Sequence, residues 1–200
     1  MGNTIPKGEY GYTDAHKRSQ LIKTLILFLL PAAIFTIGYC TSHTRMNLFT
    51  VVAVVGCLPA CKETVNLIMF WNRHSLSRDL HEQIALHVQE LTHAWELVLT
   101  TYDKNYPLSS LVIRGNEVAG YTPSKELDLR ALESHIIKVL KENGLSGAHV
   151  HIFTDLKTYL ERTDVLGRRE PEAIPFTPDD RYPALNREQL IRELILALSL

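Results

Sequence analysis

The sequence predicts a membrane protein in which an N-terminal two-helix transmembrane hairpin carries a small α+β cytoplasmic domain, helices on a mixed sheet. Three observations predict it. Two apolar runs, Leu21–Tyr39 and Asn47–Trp71, stand back to back with only a short joint, residues 40–46, between them, and each is near the ~20 residues needed to cross a bilayer. Everything after Asn72 is polar, mixed in charge and patterned like a soluble domain. All three cysteines, Cys40, Cys57 and Cys61, lie in or beside the hairpin, so the remainder has none to staple, as suits a reducing compartment.

Averages hide this division. The 200 residues carry a net charge of -1, a pI near 6.8 and a mean hydropathy of -0.03, values typical of a soluble chain. Without the hairpin about 125 residues remain, enough for one small domain with its own core. The near-neutral balance supplies no basic stripe, so no nucleic-acid partner is expected. No small-x-small cleavage site follows the first run, which reads as an uncleaved span. The resulting divisions are a flexible tail over 1–20, the hairpin over 21–71, an α+β domain over 75–163, and a Pro-rich strap with a C-terminal amphipathic helix over 164–200.

In the hairpin, Lys7, Lys17, Arg18 and Lys23 precede or enter the first span and Arg73 and Arg78 follow the second, whereas the joint has only His43 and Arg45. The positive-inside rule then places both termini in the cytoplasm. Pro31 removes a backbone donor from the first span and calls for a kink or a packing partner. The second span is interrupted by Lys62, Glu63 and Asn66, just after Pro59, and charges at membrane depth must be paired or hydrated. Three accounts follow: an interfacial segment beginning at Pro59; a continuous helix whose polar face of Pro59, Glu63 and Asn66 packs on a second copy while Lys62 snorkels; or an ion or proton path. Adjacent helical positions do not face each other, so a Lys62–Glu63 pair forms more naturally between subunits. Cys57 and Cys61 share one helical face but lack further ligands, and read as small packed thiols.

In the soluble part, Ser77 is placed to cap a helix with the stripe Leu80, Ile84, Val88 and Leu91. Trp95–Tyr102 reads as a strand covered on both faces. Leu108–Arg114 and Glu117–Tyr121 flank Gly115-Asn116, a two-residue hairpin turn. Asp128 caps a helix with the stripe Leu129, Leu132, Ile136 and Leu140, which Asn143-Gly144 stops. Ala148–Phe153 alternates as a strand, and Asp155 caps a helix turning Leu156, Tyr159 and Leu160 inward. Pro171, Pro175, Pro178 and Pro183 make the strap, to be pinned by Ile174, Phe176 and Tyr182. Asn186 with Gln189 forms a capping box ahead of Leu190, Ile191, Leu194, Ile195 and Leu198, an apolar face that must be buried on the domain, on a second subunit or on the membrane surface, and is taken as a candidate oligomer or docking face.

The element order helix, three strands, helix, strand, helix resembles the core of the restriction-endonuclease-like fold. That resemblance implies an acid on the second strand and a (D/E)-x-K on the third, holding Mg²⁺. Here Leu108–Arg114 has no acid and the third strand offers Glu117-Val118-Ala119, so the implied member is degenerate and non-catalytic. The segments VVAVVGCLPACKETVNLIMFW, DLKTYLERTD and REQLIRELILALSL also resemble uncharacterised two-span membrane proteins of Gram-positive gut anaerobes. That likeness implies a bacterial inner-membrane location.

No catalytic set is complete. His149 and His151 point to one strand face, with Asp155 close by, the basis of a weak metal-dependent hydrolase alternative. His74, His81, His87 and His93 show no metal spacing, and neither Ser109 nor Ser110 sits in a nucleophile elbow. The expected function is a membrane-anchored, non-enzymatic interaction or scaffold module. It needs no cofactor or metal and has the lipid bilayer and a second copy as partners. The alternative is an oligomeric transport or channel element using Lys62, Glu63 and Asn66.

Overall fold

A computed structural model describes residues 5–42, 48–71, 75–101, 104–124, 126–170, 174 and 184–199. The chain forms two compact units, one from Gly11–Ser75 and the other from Pro6–Tyr10 with Leu76–Leu200.

The first unit is two long apolar helices, α1 (Tyr12–Ser42) and α2 (Leu48–Trp71). They run antiparallel. The Asp14 amide donates to Ser75 Oγ at 3.2 Å near one end, Pro31 meets Gly56 midway, and Ile34 and Ile37 lie beside Leu48, Phe49 and Val52 at the other end. The helices meet through small or trim side chains. Ala53 and Ala60 of α2 are buried, as is Pro31, and a Cβ on Gly56 would stand 3.5 Å from that of Pro31. Small residues at such positions allow close approach of backbones, and Gly56 leaves room for the Pro31 ring. Both helices are long and apolar enough to span a membrane, and their most apolar windows are only 17% and 11% buried. Threonine hydroxyls along them bond back to the helix: Thr36 Oγ1 donates to Ala32 O at 2.8 Å and Thr41 Oγ1 to Ile37 O at 2.9 Å, so exposed hydroxyls are satisfied without water.

α1 already begins at Tyr12, so residues 12–20 are helix where a tail was expected. Pro6–Tyr10 belongs to the second unit, where the Trp95 amide donates to Gly8 O at 2.7 Å and the Tyr10 ring stacks on His81 at 3.8 Å. The orientation-setting His43, Arg45 and Arg73 lie outside the described residues.

The second unit is a small α+β fold on a mixed four-stranded sheet of order β1-β2-β3-β4. α3 (Arg78–Val88) precedes β1 (Thr92–Thr100), β2 (Asn105–Arg114) and β3 (Glu117–Tyr121), a meander of antiparallel strands. α4 (Leu129–Glu142) carries the chain over to β4 (His149–Phe153), which runs parallel to β3. α5 (Leu156–Gly167) and α6 (Arg187–Leu198) follow. Alternation along the strands feeds two cores. Leu97, Leu111, Ile113, Val118 and Val150 pack with Leu132, Ile136 and Leu140 of α4 and with α6. Trp95, Val112, Ala119 and Tyr121 pack with Ile84 and Val88 of α3 and with Tyr159 of α5. β1 is therefore covered on both faces, as its sequence predicted, and Trp95 through Leu99 are all buried.

The caps form as read at Asp128, which accepts from Ala131 N, at Asp155, which accepts from Thr158 N, and in the Asn186–Gln189 box. Ser77 precedes α3 without a side-chain cap bond. β2 begins at Asn105, earlier than expected, because β3 ends opposite Ser110 and the stretch containing Pro107 has a partner strand on one side only, where proline is tolerated. Of the strap, Ile174 comes within reach of Gly115, whereas Phe176, Tyr182, Pro171, Pro175, Pro178 and Pro183 lie outside the described residues. α5 runs to Gly167, past the expected boundary at 163.

Both outer edges of the sheet make hydrogen bonds to groups outside it. Along β1, Gly8 takes the Trp95 amide, Ser199 pairs with Leu99, and Ser199 Oγ accepts from the Val98 amide at 3.2 Å. Along β4, Glu133 Oε1 accepts from the Ile152 amide at 2.8 Å. Unpaired edges template aggregation, and covering them removes the template.

Candidate functional site

Two regions hold polar side chains with a chemistry to offer. In the hairpin, α2 runs unbroken through Pro59, and the polar trio is divided among its faces: Lys62 is exposed, while Glu63 and Asn66 are half-buried. The antiparallel register brings Thr24 and Gln20 of α1 level with Glu63 through Leu67, and both α1 residues are buried at 8% and 9% exposure. Thr24 Oγ1 donates to Gln20 O at 2.8 Å and Gln20 Nε2 lies 3.2 Å from His16 Nε2. Gln20 Oε1 is buried without a partner. Glu63 thus lies, half-buried, level with a polar stretch of α1, and Lys62, one residue earlier, is exposed. Cys57 is half-buried, Cys61 exposed, and both are free thiols.

The second region is a cleft of about 620 Å³ at the β2–β3 turn, lined by Arg114, Asn116, Glu117, His149, Arg169 and Glu170 among others. Gly115 adopts φ +60°, the left-handed value this tight turn needs. α6 grips the turn from behind. The Gly115 amide donates to Glu188 Oε1 at 2.7 Å and Thr92 Oγ1 to Glu188 Oε2 at 2.9 Å. Arg187, 8% exposed, reaches Asn116 Oδ1 through Nε at 2.9 Å and Nη2 at 2.6 Å, and donates to Ser146 O at 3.1 Å. Burial lowers the guanidinium pKa.

Glu117 opens β3 opposite His149, hydrogen-bonds Arg162 and lies 3.5 Å from Arg169 Nη1. Burial pushes its carboxyl pKa up, but the Arg162 hydrogen bond and the charges of Arg162, Arg169 and His149 outweigh this and leave it lowered. Arg114 Nη2 donates to Glu90 O at 3.0 Å, while its Nε is buried without a partner. The cleft thus presents both signs of charge on a rigid turn.

The remaining expectations resolve plainly. Of the covers open to the α6 stripe, offered as a docking or oligomer face, the domain itself supplies one: Leu190, Ile191, Leu194 and Ile195 are buried, and Leu198 packs partly buried against them. An amphipathic stripe must bury its apolar side, and β1, β2 and α4 supply that cover within the same chain. His149 and His151 are exposed on β4, and Asp155 is engaged in capping α5. No group of three ligating side chains is suited to a metal among the described residues, so the trio behind the hydrolase alternative is not assembled. The helix–three strands–helix–strand order behind the endonuclease resemblance is present, but β2 carries no acid and Glu117 is committed to arginines. His81 is flanked by the rings of Tyr10 and Trp95, and His87 Nδ1 lies 2.5 Å from Asp164 Oδ1, tying α3 to α5. His74 lies outside the described residues. Sequence reading missed the Arg187–Asn116 grip; a cation in the first turn of an amphipathic helix was its only signal.

No protein-family model, curated protein or solved structure matches the chain.

Proposed function

We propose that this chain is a membrane-anchored interaction module. In this reading the hairpin crosses the bacterial inner membrane twice, both termini are cytoplasmic, and the α+β domain is displayed there to hold a protein partner or a second copy. The observation that carries the reading is the hairpin's outer surface. Leu29, Leu30 and Leu58 are 64–67% exposed, and no charged residue occurs in 24–41 or 48–61, a surface that only lipid covers without cost. The mixed-charge cleft at Arg114, Glu117, Arg169 and Glu170 supports the interaction half, because complementary charge at an open rim gives specificity.

Crosslinking of the full-length chain in native membranes tests it. The expected result is a discrete adduct that weakens in Arg169→Glu; monomer alone, with no co-purifying protein, overturns the proposal.

One observation favours a second reading, a transport element: Glu63 is half-buried at the level of the buried Gln20 and Thr24, and an ionisable residue turned into a bundle is a common pathway element. Vesicles holding the protein would then show an ion flux that Glu63→Gln abolishes. Absent or unaltered flux rejects it.

A further inference from the structure

We infer that the hairpin binds the phosphates of anionic phospholipids through Lys23 and Lys62. This rests on the membrane-anchoring reading and adds the depth of the hairpin and the lipid class it selects.

Helix length sets the depth of the hairpin. The antiparallel register sets Gln20 of α1 level with Asn66 and Leu67 of α2. From that level towards the joint, Leu21–Tyr39 and Leu48–Asn66 are each about 19 residues, or about 28 Å of helix, and a bilayer core is about 30 Å thick. Placing the boundary of the hydrocarbon at Gln20 and Asn66 therefore seats both helices without mismatch. It also leaves Trp71, 59% exposed, in the headgroup layer where indoles collect.

Lys23 and Lys62 then lie three to four residues inside the boundary, about 6 Å deep. Both are exposed on the outer surface of the hairpin, surrounded by Leu25, Ile26, Val65 and Leu58, which are also exposed. A lysine in that position lays its stem along the apolar surface and lifts its ammonium to the phosphates. Among the described residues neither lysine has an ion-pair partner: Glu63 is half-buried, and Asp14 pairs with Lys17 at 3.7 Å. With Arg18 also exposed, this end of the hairpin presents an excess of positive charge, the complement of an anionic headgroup.

Lipid selectivity tests the inference. The full-length protein is reconstituted into phosphatidylcholine bilayers doped with spin-labelled phosphatidylglycerol or spin-labelled phosphatidylcholine, and electron paramagnetic resonance reads the motionally restricted fraction of each. Wild type is expected to restrict phosphatidylglycerol preferentially, with about fivefold preference for each lysine at low salt. Lys23→Gln with Lys62→Gln brings the preference towards one, and Lys23→Arg with Lys62→Arg retains it. A wild type without preference, or a double glutamine variant within about twofold of wild type, overturns the inference while leaving anchoring intact. If neither lipid is restricted and the protein is released by alkaline carbonate, the anchoring reading fails instead.

Discussion

The backbone amide of Trp95 donates to the carbonyl of Gly8 at 2.7 Å, and in the next residue Glu96 Oε1 accepts from the amide of Leu76 at 3.1 Å. Two neighbouring positions of β1 thus hold the chain just before α1 and just after α2. Glu96 has φ +53°, a backbone value that costs a non-glycine residue of order 1 kcal/mol and persists only where surrounding contacts enforce it.

Gly8 is the weak point of this arrangement. Its φ is +86°, and an added Cβ would stand 2.8 Å from Leu196 Cδ2. Gly8→Val should destabilise the α+β unit by about 1–3 kcal/mol, lowering the midpoint of thermal unfolding by several degrees. An unchanged midpoint would show that Pro6–Tyr10 does not hold β1.

Tyr159 is fully buried, and its hydroxyl lies 2.9 Å from Ser110 Oγ. Burial raises its pKa well above the phenol range, despite hydrogen bonds to Ser110 and Thr163 that act the other way. The raised folded pKa makes the folded state bind more protons at high pH, so its stabilisation is full below about pH 10 and is lost as pH rises further. Denaturant titrations between neutral and strongly alkaline pH should show that loss. Tyr159→Phe should reduce the alkaline loss and cost about 1–3 kcal/mol at neutral pH by orphaning the buried Ser110 hydroxyl.

Glu117 predicts the opposite slope. Its lowered folded pKa adds stability that is complete above the ordinary carboxylate value of about 4.3 and is lost as pH falls through the folded value. Glu117→Gln should flatten this part of the acid limb measured by circular dichroism, and should cost about 1 kcal/mol at neutral pH.

Ile195 separates a core from a docking face. It is fully buried in the α4–α6 layer, so Ile195→Ala should destabilise the domain by about 2–5 kcal/mol. Calorimetry should record a lower unfolding temperature, and the sedimentation of the still-folded protein should not change. A changed oligomer with unaltered stability would contradict the packing.

Local signals were legible because they act through bonds a few residues long. The Gly115-Asn116 turn, the acceptors Asp128 and Asp155, and the Asn186–Gln189 box depend on their neighbours alone. The stripes of α3 and α4 were legible as apolar, and that of α6 too, but periodicity names a face and not its cover. For α6 the cover is β1 and β2, roughly ninety residues earlier in the chain. Nothing in GEYGY marks a segment that closes a sheet edge, because backbone pairing with Trp95 leaves no pattern in side chains. In α2, the separation of Lys62 from Glu63 and Asn66 was legible because adjacent helical positions do not face each other, whereas the level of Glu63 beside Gln20 and Thr24 depends on how the two helices pair.

Lys7 Nζ donates to the carbonyl of Ser199, a bond spanning 192 positions, and this sets an order of events during synthesis. The hairpin leaves the ribosome first, yet the outer flank of β1 is completed only when Ser199 has also left it. Contacts so distant in sequence form late, and a nascent domain with an open strand flank is prone to mispairing. The outer flank of β1 therefore closes only after the α6 end of the chain has been made, long after α1 and α2.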